Sequence, residues 1–397
     1  MALILLLSLF VALVFAGFLI ILTTPELLTS WESFFSHMGA TIALTWNTIT
    51  YAYVQLFEGA VVNFHDLRVL IDNPSMANLA TVLNPLFGPS GTVTYATPLI
   101  VAGLGLAIGF QSGLFDIGGQ GQVIGGGALC LIVAISVHLP AILLVPLEII
   151  AAMAGGALLA AFAGVLKAYT GAHEVITTMM TSRIIGFLLP WFLTLTFIAR
   201  PGFADGASKA IPPAGQLPFL LSGIGSNLQL SLGFVFAVAS VFAVQWFFNR
   251  SKLGFQLKMV GQSPEAARTA GINSKRAIVV SLSLAGAMLG FAGMIELTGI
   301  DHFMSPNFGG SYGIDAIAVA LIGRNKPWGV FAAALFFGAM QSGGLAMQSA
   351  TQLQPSLALV IQAVVAFCVA TPFLVVDIFK LKNGERYATS TAAGGWA

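Results

Sequence analysis

The sequence predicts an all-α, polytopic membrane protein of about ten transmembrane helices, and three observations carry that reading. Only 16 basic and 15 acidic side chains occur in 397 residues, so 8% of the chain is charged where a soluble protein carries about a quarter. Hydrophobic residues make up 57%, and mean hydropathy is +0.92. The apolar residues also fall into successive runs of about 20, the length a helix needs to cross a hydrocarbon core of roughly 30 Å. Such a composition excludes a water-soluble enzyme and a disordered chain, and it offers no basic patch for nucleic acid.

The elements follow in order. Ala2 to Leu22 is longer than a signal-peptide core and has no basic leader, so it reads as a retained span. Further spans are expected at Thr92–Phe110, Gln122–Val137, Ala141–Val165, Glu174–Phe197, Leu228–Phe248, Ala277–Leu297, Trp328–Met347 and Leu357–Val376. Gly313–Ile322 would be only about 15 Å long as a helix, too short to cross alone. It follows Gly309 and Gly310, which predicts a half-helix entered through extended backbone. Such backbone survives at membrane depth only where protein or a cavity shields it. Between the first two spans, Gly39–Phe57 places Trp46, Ile49, Tyr53 and Phe57 at helical spacing, which predicts an extracytoplasmic amphipathic helix along the outer surface. The organisation expected is 1–91 for the first helix and this segment, 92–378 for the membrane core with a loop at 250–276, and 379–397 for a polar tail.

Lysine and arginine report sidedness. Twelve of the 16 fall in loops of one face: Lys167; Arg250, Lys252, Lys258, Arg268, Lys275 and Arg276; Arg324 and Lys326; Lys380, Lys382 and Arg386. Arg68, Arg200 and Lys209 fall on the other, and Arg183 lies within a span. The first face is therefore cytoplasmic, and ten crossings put both termini there. Cys130 and Cys368 each sit in an apolar run, which supports neither a disulfide nor a metal site.

Four segments carry more than hydropathy. In Gly261-Gln-Ser-Pro-Glu-Ala-Ala-Arg-Thr-Ala-Gly271, Ser263 suits an N-cap, Pro264 the first helical position, Glu265 the positive helix end and Gly271 the position past the C-cap. The helix Pro264 to Ala270 is either a knob for another protein or a solvated connector. Gly113-Leu-Phe-Asp-Ile-Gly-Gly-Gln-Gly-Gln122 sets Asp116, Gln120 and Gln122 among glycines. Close helix approach is the expected use of those glycines and of the pairs Gly105/Gly109, Gly121/Gly125 and Gly286/Gly290. Thr170-Gly-Ala-His-Glu-Val-Ile-Thr-Thr178 comes near the zinc motif H-E-x-x-H, but the fifth position is Thr177, so no second ligand exists. The same span carries Arg183 about 14 Å in. Ser311-Tyr-Gly-Ile-Asp-Ala-Ile-Ala-Val-Ala-Leu-Ile-Gly-Arg324 is the short segment, in which Asp315 serves either free backbone N–H groups or a substrate. Glu148, Glu296 and Asp301 are expected at the outer interface. No G-x-x-x-x-G-K-[ST] pattern occurs, so the chain does not itself cradle ATP phosphates.

These motifs, with Tyr95-Ala-Thr-Pro-Leu-Ile-Val-Ala-Gly-Leu-Gly105, occur in order and resemble the permease subunits of bacterial ABC importers for nucleosides and simple sugars, the longer nucleoside permeases most. The resemblance implies a non-enzymatic subunit of about ten helices in the cell membrane. Its implied partners are a second permease, a cytoplasmic ATPase that holds ATP and magnesium, and an extracytoplasmic substrate-binding lipoprotein. This chain itself would hold no cofactor. By the same resemblance Gln262, Ser263, Pro264, Glu265, Ala266, Ala267, Arg268 and Gly271 form the helix that couples to the ATPase. The chain departs from the family at two places, with Asp116 for the usual asparagine and Thr181-Ser-Arg183 for Leu-Asn-Tyr. One acid and one base have appeared together, which predicts a buried Asp116–Arg183 pair.

Polar residues within spans are kept for packing bonds or a pathway, which makes Gln120, Gln122, Thr177, Thr178, Ser182 and Gln341 the candidates to line one. The substrate expected is a nucleoside, with a simple sugar as the alternative. An ion-coupled secondary transporter would need inverted repeats, and none is evident. An intramembrane enzyme would need a nucleophile and base or a metal cluster, and neither is present.

Overall fold

The computed structural model describes residues 2–83, 88–202, 206–220, 230–351, 360, 363 and 364. Among them seven helices are long and apolar enough to cross a membrane, or eight if the bent pair at the N-terminus counts as one span. The architecture is all-α, as the sequence predicts. The expected span Leu357–Val376, apart from those last three residues, and the tail 379–397 lie outside the described residues.

The chain divides into two compact units. The first takes Met1–Tyr95 and Phe336–Trp396. Within it α1 (Ala2–Thr23) and α3 (Met38–Ala60) run antiparallel, with the Tyr53 hydroxyl donating to the Leu13 carbonyl. The connection, α2 (Pro25–Glu32), is bent 81° from α1. Pro25 has no N–H to continue the ladder and stands at the first helical position, so the break is written in the sequence. Trp31 Nε1–H donates to Thr45 Oγ1 at 3.2 Å and Ser30 Oγ–H to Thr41 Oγ1 at 3.0 Å, which fixes α2 on α3. Two short helices follow, α4 (Phe64–Asp72), capped by Asn63, and α5 (Met76–Val82), capped by Ser75.

In α3 the apolar stripe read from the sequence divides between exposed and packed positions. The buried residues of the helix are Thr41, Thr45, Ala52, Gly59 and Ala60, while Trp46 is 71% exposed and Phe57 46% exposed. Ile49 and Tyr53 pack on the core of Ala16, Ile20, Ala52, Met340 and Met347. In water the large apolar stripe would face inward. In lipid, where tails are as apolar as leucine, it is small residues that let backbones approach.

The second unit, Ala96–Leu220 and Leu230–Leu335, carries most of the core. Its spans are α6 (Pro89–Gln111, from Ala96), α7 (Gly119–Ser136), α8 (Ala141–Thr170), α9 (Glu174–Leu193), α10 (Gly233–Arg250), α13 (Ser274–Glu296, prolonged to Asp301 by a wide turn) and the start of α15 (Pro327–Thr351). Between α10 and α13 lie α11 (Lys252–Gln262) and α12 (Pro264–Thr269). Helices α7, α8 and α13 meet backbone to backbone: a Cβ at Gly156 would lie 2.0 Å from the Gly286 carbonyl oxygen, and one at Gly290 would lie 2.1 Å from that of Ala152. The small-residue pair Gly286/Gly290 is therefore used as the spacing predicts.

The short segment is a half-helix, α14 (Tyr312–Ile322). The backbone leading to it is folded into the protein: Phe308 is buried, the Gly309 N–H donates to Glu296 Oε1 at 3.1 Å, and Gly309 takes φ +82°, open to glycine alone at no cost. That is the shielding which broken backbone at membrane depth requires. Glu148 and Glu296, expected at the outer interface, are buried within the protein, with 0% and 5% exposure; the segment 206–220 packs on Glu148, and the strap before α14 meets Glu296. Gly215 stands against the Glu148 carboxylate, and the Leu217 N–H donates to the Thr298 carbonyl at 3.0 Å.

Candidate functional site

Three motifs that are far apart in sequence converge at the N-terminus of α7. Thr178 and Ser182 lie four residues apart on α9, hence on one face. The Thr178 hydroxyl accepts from the Ile117 N–H at 3.3 Å and the Ser182 hydroxyl from the Gly121 N–H at 2.8 Å. Ser182 thereby serves an N–H that the helix start leaves without a partner, and Thr178 a loop N–H just before it. Gly118 and Gly121 admit them closely: a Cβ at Gly121 would lie 2.5 Å from Ser182 Cα. On the other side Gln120 Oε1 accepts from the Gly313 N–H at 3.1 Å, at the start of α14. The stem of this α9 contact is also fixed. Glu174, the first residue of α9, pairs with Lys167 near the end of α8, and the Phe115 N–H points at the same carboxylate.

Asp116 lies in the loop before α7 and is fully buried. Its Oδ1 accepts from the Gly118 N–H at 2.7 Å and its Oδ2 from Gln122 Nε2–H at 2.8 Å. Burial pushes its carboxyl above the ordinary range, while the bonds from Gln122, Gly118 and Thr178 pull it back. The predicted Asp116–Arg183 pair is not formed. Once Thr178 and Ser182 face α7, Arg183 falls about 100° round the helix and is exposed, while Asp116 points inward to neutral donors.

This arrangement sets what Asp116 variants should do. An asparagine in its place would keep an acceptor for Gly118, and Gln122, whose Oε1 is buried without a partner among the described residues, can turn its amide to meet the new donor. Asp116→Asn is therefore expected to keep near-normal stability. Asp116→Ala leaves buried N–H groups unpaired and is expected to cost about 2 kcal/mol or more. In a double-mutant cycle with Arg183→Tyr, thermal unfolding should show a coupling under about 0.5 kcal/mol. A larger coupling would restore the ion pair.

The other candidates distribute unevenly. Thr177 is half-buried and donates to the Glu174 carbonyl at 3.0 Å. Gln122 serves Asp116, and Gln341 belongs to the first unit. Of the polar set chosen from sequence, Gln120, Gln122, Thr178 and Ser182 all bond at or beside the α7 start. What the sequence reading missed was the α9-to-α7 register, although the i, i+4 spacing of Thr178 and Ser182 opposite Gly118 and Gly121 was its visible sign.

The loop at 250–276 forms as its capping signals predict. Ser263 accepts from the Ala266 N–H at 3.2 Å, α12 spans Pro264–Thr269 with Ala270 as C-cap, and Gly271 takes φ +78°. Ala267 is fully buried, whereas Gln262, Pro264, Glu265, Ala266 and Arg268 are exposed. The stem of this knob reaches the start of the Gly113–Gln122 motif. Gly261, at the end of α11, lies against Gln111, Ser112 and Gly113, close enough that a Cβ there would be 2.4 Å from the Gln111 carbonyl oxygen. Among the described residues no group of three His, Cys, Asp or Glu is arranged to hold a metal.

Comparison with known proteins gives this geometry its context. Residues 88–370 match the family described as branched-chain amino acid transport system / permease component. The chain is 31% identical over 283 residues to the nucleoside ABC transporter permease protein NupB of Lactococcus lactis, covering 70% of this chain and 78% of the relative. It is 32% identical over 299 residues to the glucose ABC transporter permease protein TsgB13 of Haloferax volcanii, covering 73% and 78%. With the guanosine ABC transporter permease protein NupP of Bacillus subtilis, identity is 30% over 317 residues, covering 78% and 90%. No solved structure matches significantly. The ordered glycine motifs, the half-helix and the apolar spans thus sit in a matched region of 88–370, and the chain belongs to the branched-chain amino acid transport system / permease component family of multi-pass membrane proteins.

Proposed function

We propose that this chain is the permease subunit of an ATP-binding-cassette importer, forming with a second permease the path by which nucleosides cross the membrane. A cytoplasmic ATPase drives it and an extracytoplasmic lipoprotein supplies it. The observation that carries the reading is α12, a capped helix with Pro264, Glu265, Ala266 and Arg268 exposed, on the face where the basic loop residues concentrate. In this reading residues 262–271 seat in the ATPase, and its closure swings the pathway from outward to inward access as a rigid-body step. The nucleoside permeases among the relatives support the substrate, and the glucose permease at 32% identity keeps a simple sugar as the second reading.

The test is energetic. In vesicles carrying the complete importer, nucleoside accumulation is expected to persist with an ionophore and to stop when ATP is depleted. Ala266→Arg places a charged side chain on the exposed knob, and it is expected to abolish uptake while thermal stability changes by less than about 0.5 kcal/mol. Accumulation driven by a sodium or proton gradient alone would assign the chain to secondary transport instead.

A further inference from the structure

We infer that the elbow between α10 and α11 holds the headgroup of an anionic membrane phospholipid, with Arg250 and Lys252 on its phosphate and Trp246 and Phe242 along its glycerol and acyl region. The inference needs only that the chain spans a membrane, not the nucleoside reading.

Its ground is the order of residues along one face. Phe242, Trp246 and Arg250 follow at four-residue intervals on α10 and so share a face. Phe242 is 56% exposed, Trp246 is 63% exposed, and Arg250 is exposed as well. Over about 12 Å of helix the face thus passes from an apolar ring to an indole to a cation. Indoles favour the headgroup level of a bilayer, and the cation lies one turn beyond it.

At the elbow the chain turns back tightly. A Cβ at Gly254 would lie 2.3 Å from the Phe247 carbonyl oxygen, and the Gly254 N–H donates to Ser251 Oγ at 2.8 Å. Exposed Lys252 follows Arg250 across this turn, and Phe255, on the Lys252 face of α11, is 60% exposed. The turn before α15 adds to the patch. Lys326 is exposed there, and Trp328 meets the Phe242 ring edge-on with centroids 5.2 Å apart. None of Arg250, Lys252 and Lys326 pairs with an acid among the described residues. The loop 250–276 holds six cations and one acid, Glu265.

Charge and depth decide what covers this face. A soluble ATPase does not reach Phe242 and Trp246 within the α10 span. A neighbouring membrane helix carries its own excess of lysine and arginine at the cytoplasmic end, so it would set cation against cation. The leaflet on the basic side, cytoplasmic by the same rule, supplies negative headgroups at that level and acyl chains for the rings above.

The experiment places the purified full-length permease in phosphatidylcholine vesicles. Part of the lipid is then replaced by brominated phosphatidylglycerol or brominated phosphatidylcholine, whose bromines quench the indoles they touch. The quenching that disappears in Trp246→Phe reports this site. It is expected to respond to phosphatidylglycerol at a fraction lower by on the order of tenfold than to phosphatidylcholine. Arg250→Gln and Lys252→Gln should each reduce that preference about fivefold, and salt at about 1 M should weaken it. Arg276→Gln removes an exposed cation on the same basic side but off the elbow, and it should keep the preference. An equal response to the two lipids would overturn the site. An equal loss in Arg276→Gln would also overturn it, in favour of general surface charge. A Trp246 signal that neither lipid quenches would overturn it too and assign this face to another protein chain.

Discussion

Gly290→Val is expected to yield no recoverable folded protein, and Gly290→Ala to lower the unfolding temperature of the purified permease by several degrees. At this crossing α13 touches α8 through backbone alone: a Cβ at Gly290 would lie 2.1 Å from the Ala152 carbonyl oxygen and 3.0 Å from the Gly156 nitrogen. Neither is a side-chain tip that can swing aside. The helices would have to separate, and α7 would lose its seat as well, because a Cβ at Gly126 would lie 2.3 Å from Gly290 Cα. Overpacking of a tight core costs about 1–3 kcal/mol, and more where backbone must move. The control is Gly186, where nothing lies within 4 Å of an added Cβ. There alanine should be neutral or gain up to about 1 kcal/mol from helix propensity. Equal melting temperatures for Gly290→Ala and Gly186→Ala would show that the crossing is looser than the backbone distances imply.

How much of this could be read from the sequence depends on which physical signal each feature leaves. Helix ends leave local ones: Ser263, Pro264 and Gly271 predict Pro264–Ala270, and α12 is found at Pro264–Thr269 with Ala270 as its cap. Hydropathy places the spans to within a few residues, as in Thr92–Phe110 against Pro89–Gln111, and the short Gly-led segment is found as Tyr312–Ile322. Which way a helix faces leaves no local signal in lipid. Of the stripe Trp46, Ile49, Tyr53 and Phe57, only Ile49 and Tyr53 pack inward, beside the threonines and small residues of α3, while Trp46 and Phe57 stay exposed. The same gap hid whether the two charged residues of the motifs meet. Asp116 and Arg183 match as charges, but whether they meet depends on the rotation of α9, and that is set by Thr178 and Ser182 fitting against Gly118 and Gly121. A long-range contact such as that of Gly261 with Gly113 appears only once the chain is folded.

That last contact supports the second large effect, a separation of ATP use from transport. In the importer proposed above, Gly261→Val is expected to leave the ATPase bound and turning over while nucleoside uptake falls more than about tenfold. The α11 helix carries α12 at its end, and Gly261 is its point of contact with Gln111, Ser112 and Gly113. Gly113 itself takes φ +72°, a conformation that resists any side chain, and three residues later comes Asp116, bonded to Gly118 and Gln122 at the start of α7. No side chain lies in the contact to absorb a displacement, so a shift of α11 must move the strap at 111–113 and with it the loop that holds Asp116. A valine at Gly261 would force these backbones apart, since even its Cβ would be 2.7 Å from the Ser112 carbonyl carbon and 2.8 Å from the Gly113 nitrogen. The exposed face of α12 is untouched by that change, which sets it apart from Ala266→Arg, where the ATPase itself should be lost on purification. The measurement is the ratio of nucleoside moved to ATP hydrolysed in vesicles, beside the amount of ATPase retained. If Gly261→Val transports at the wild-type ratio, motion reaches the pathway by another route. If it sheds the ATPase, Gly261 serves the docking surface rather than the link behind it.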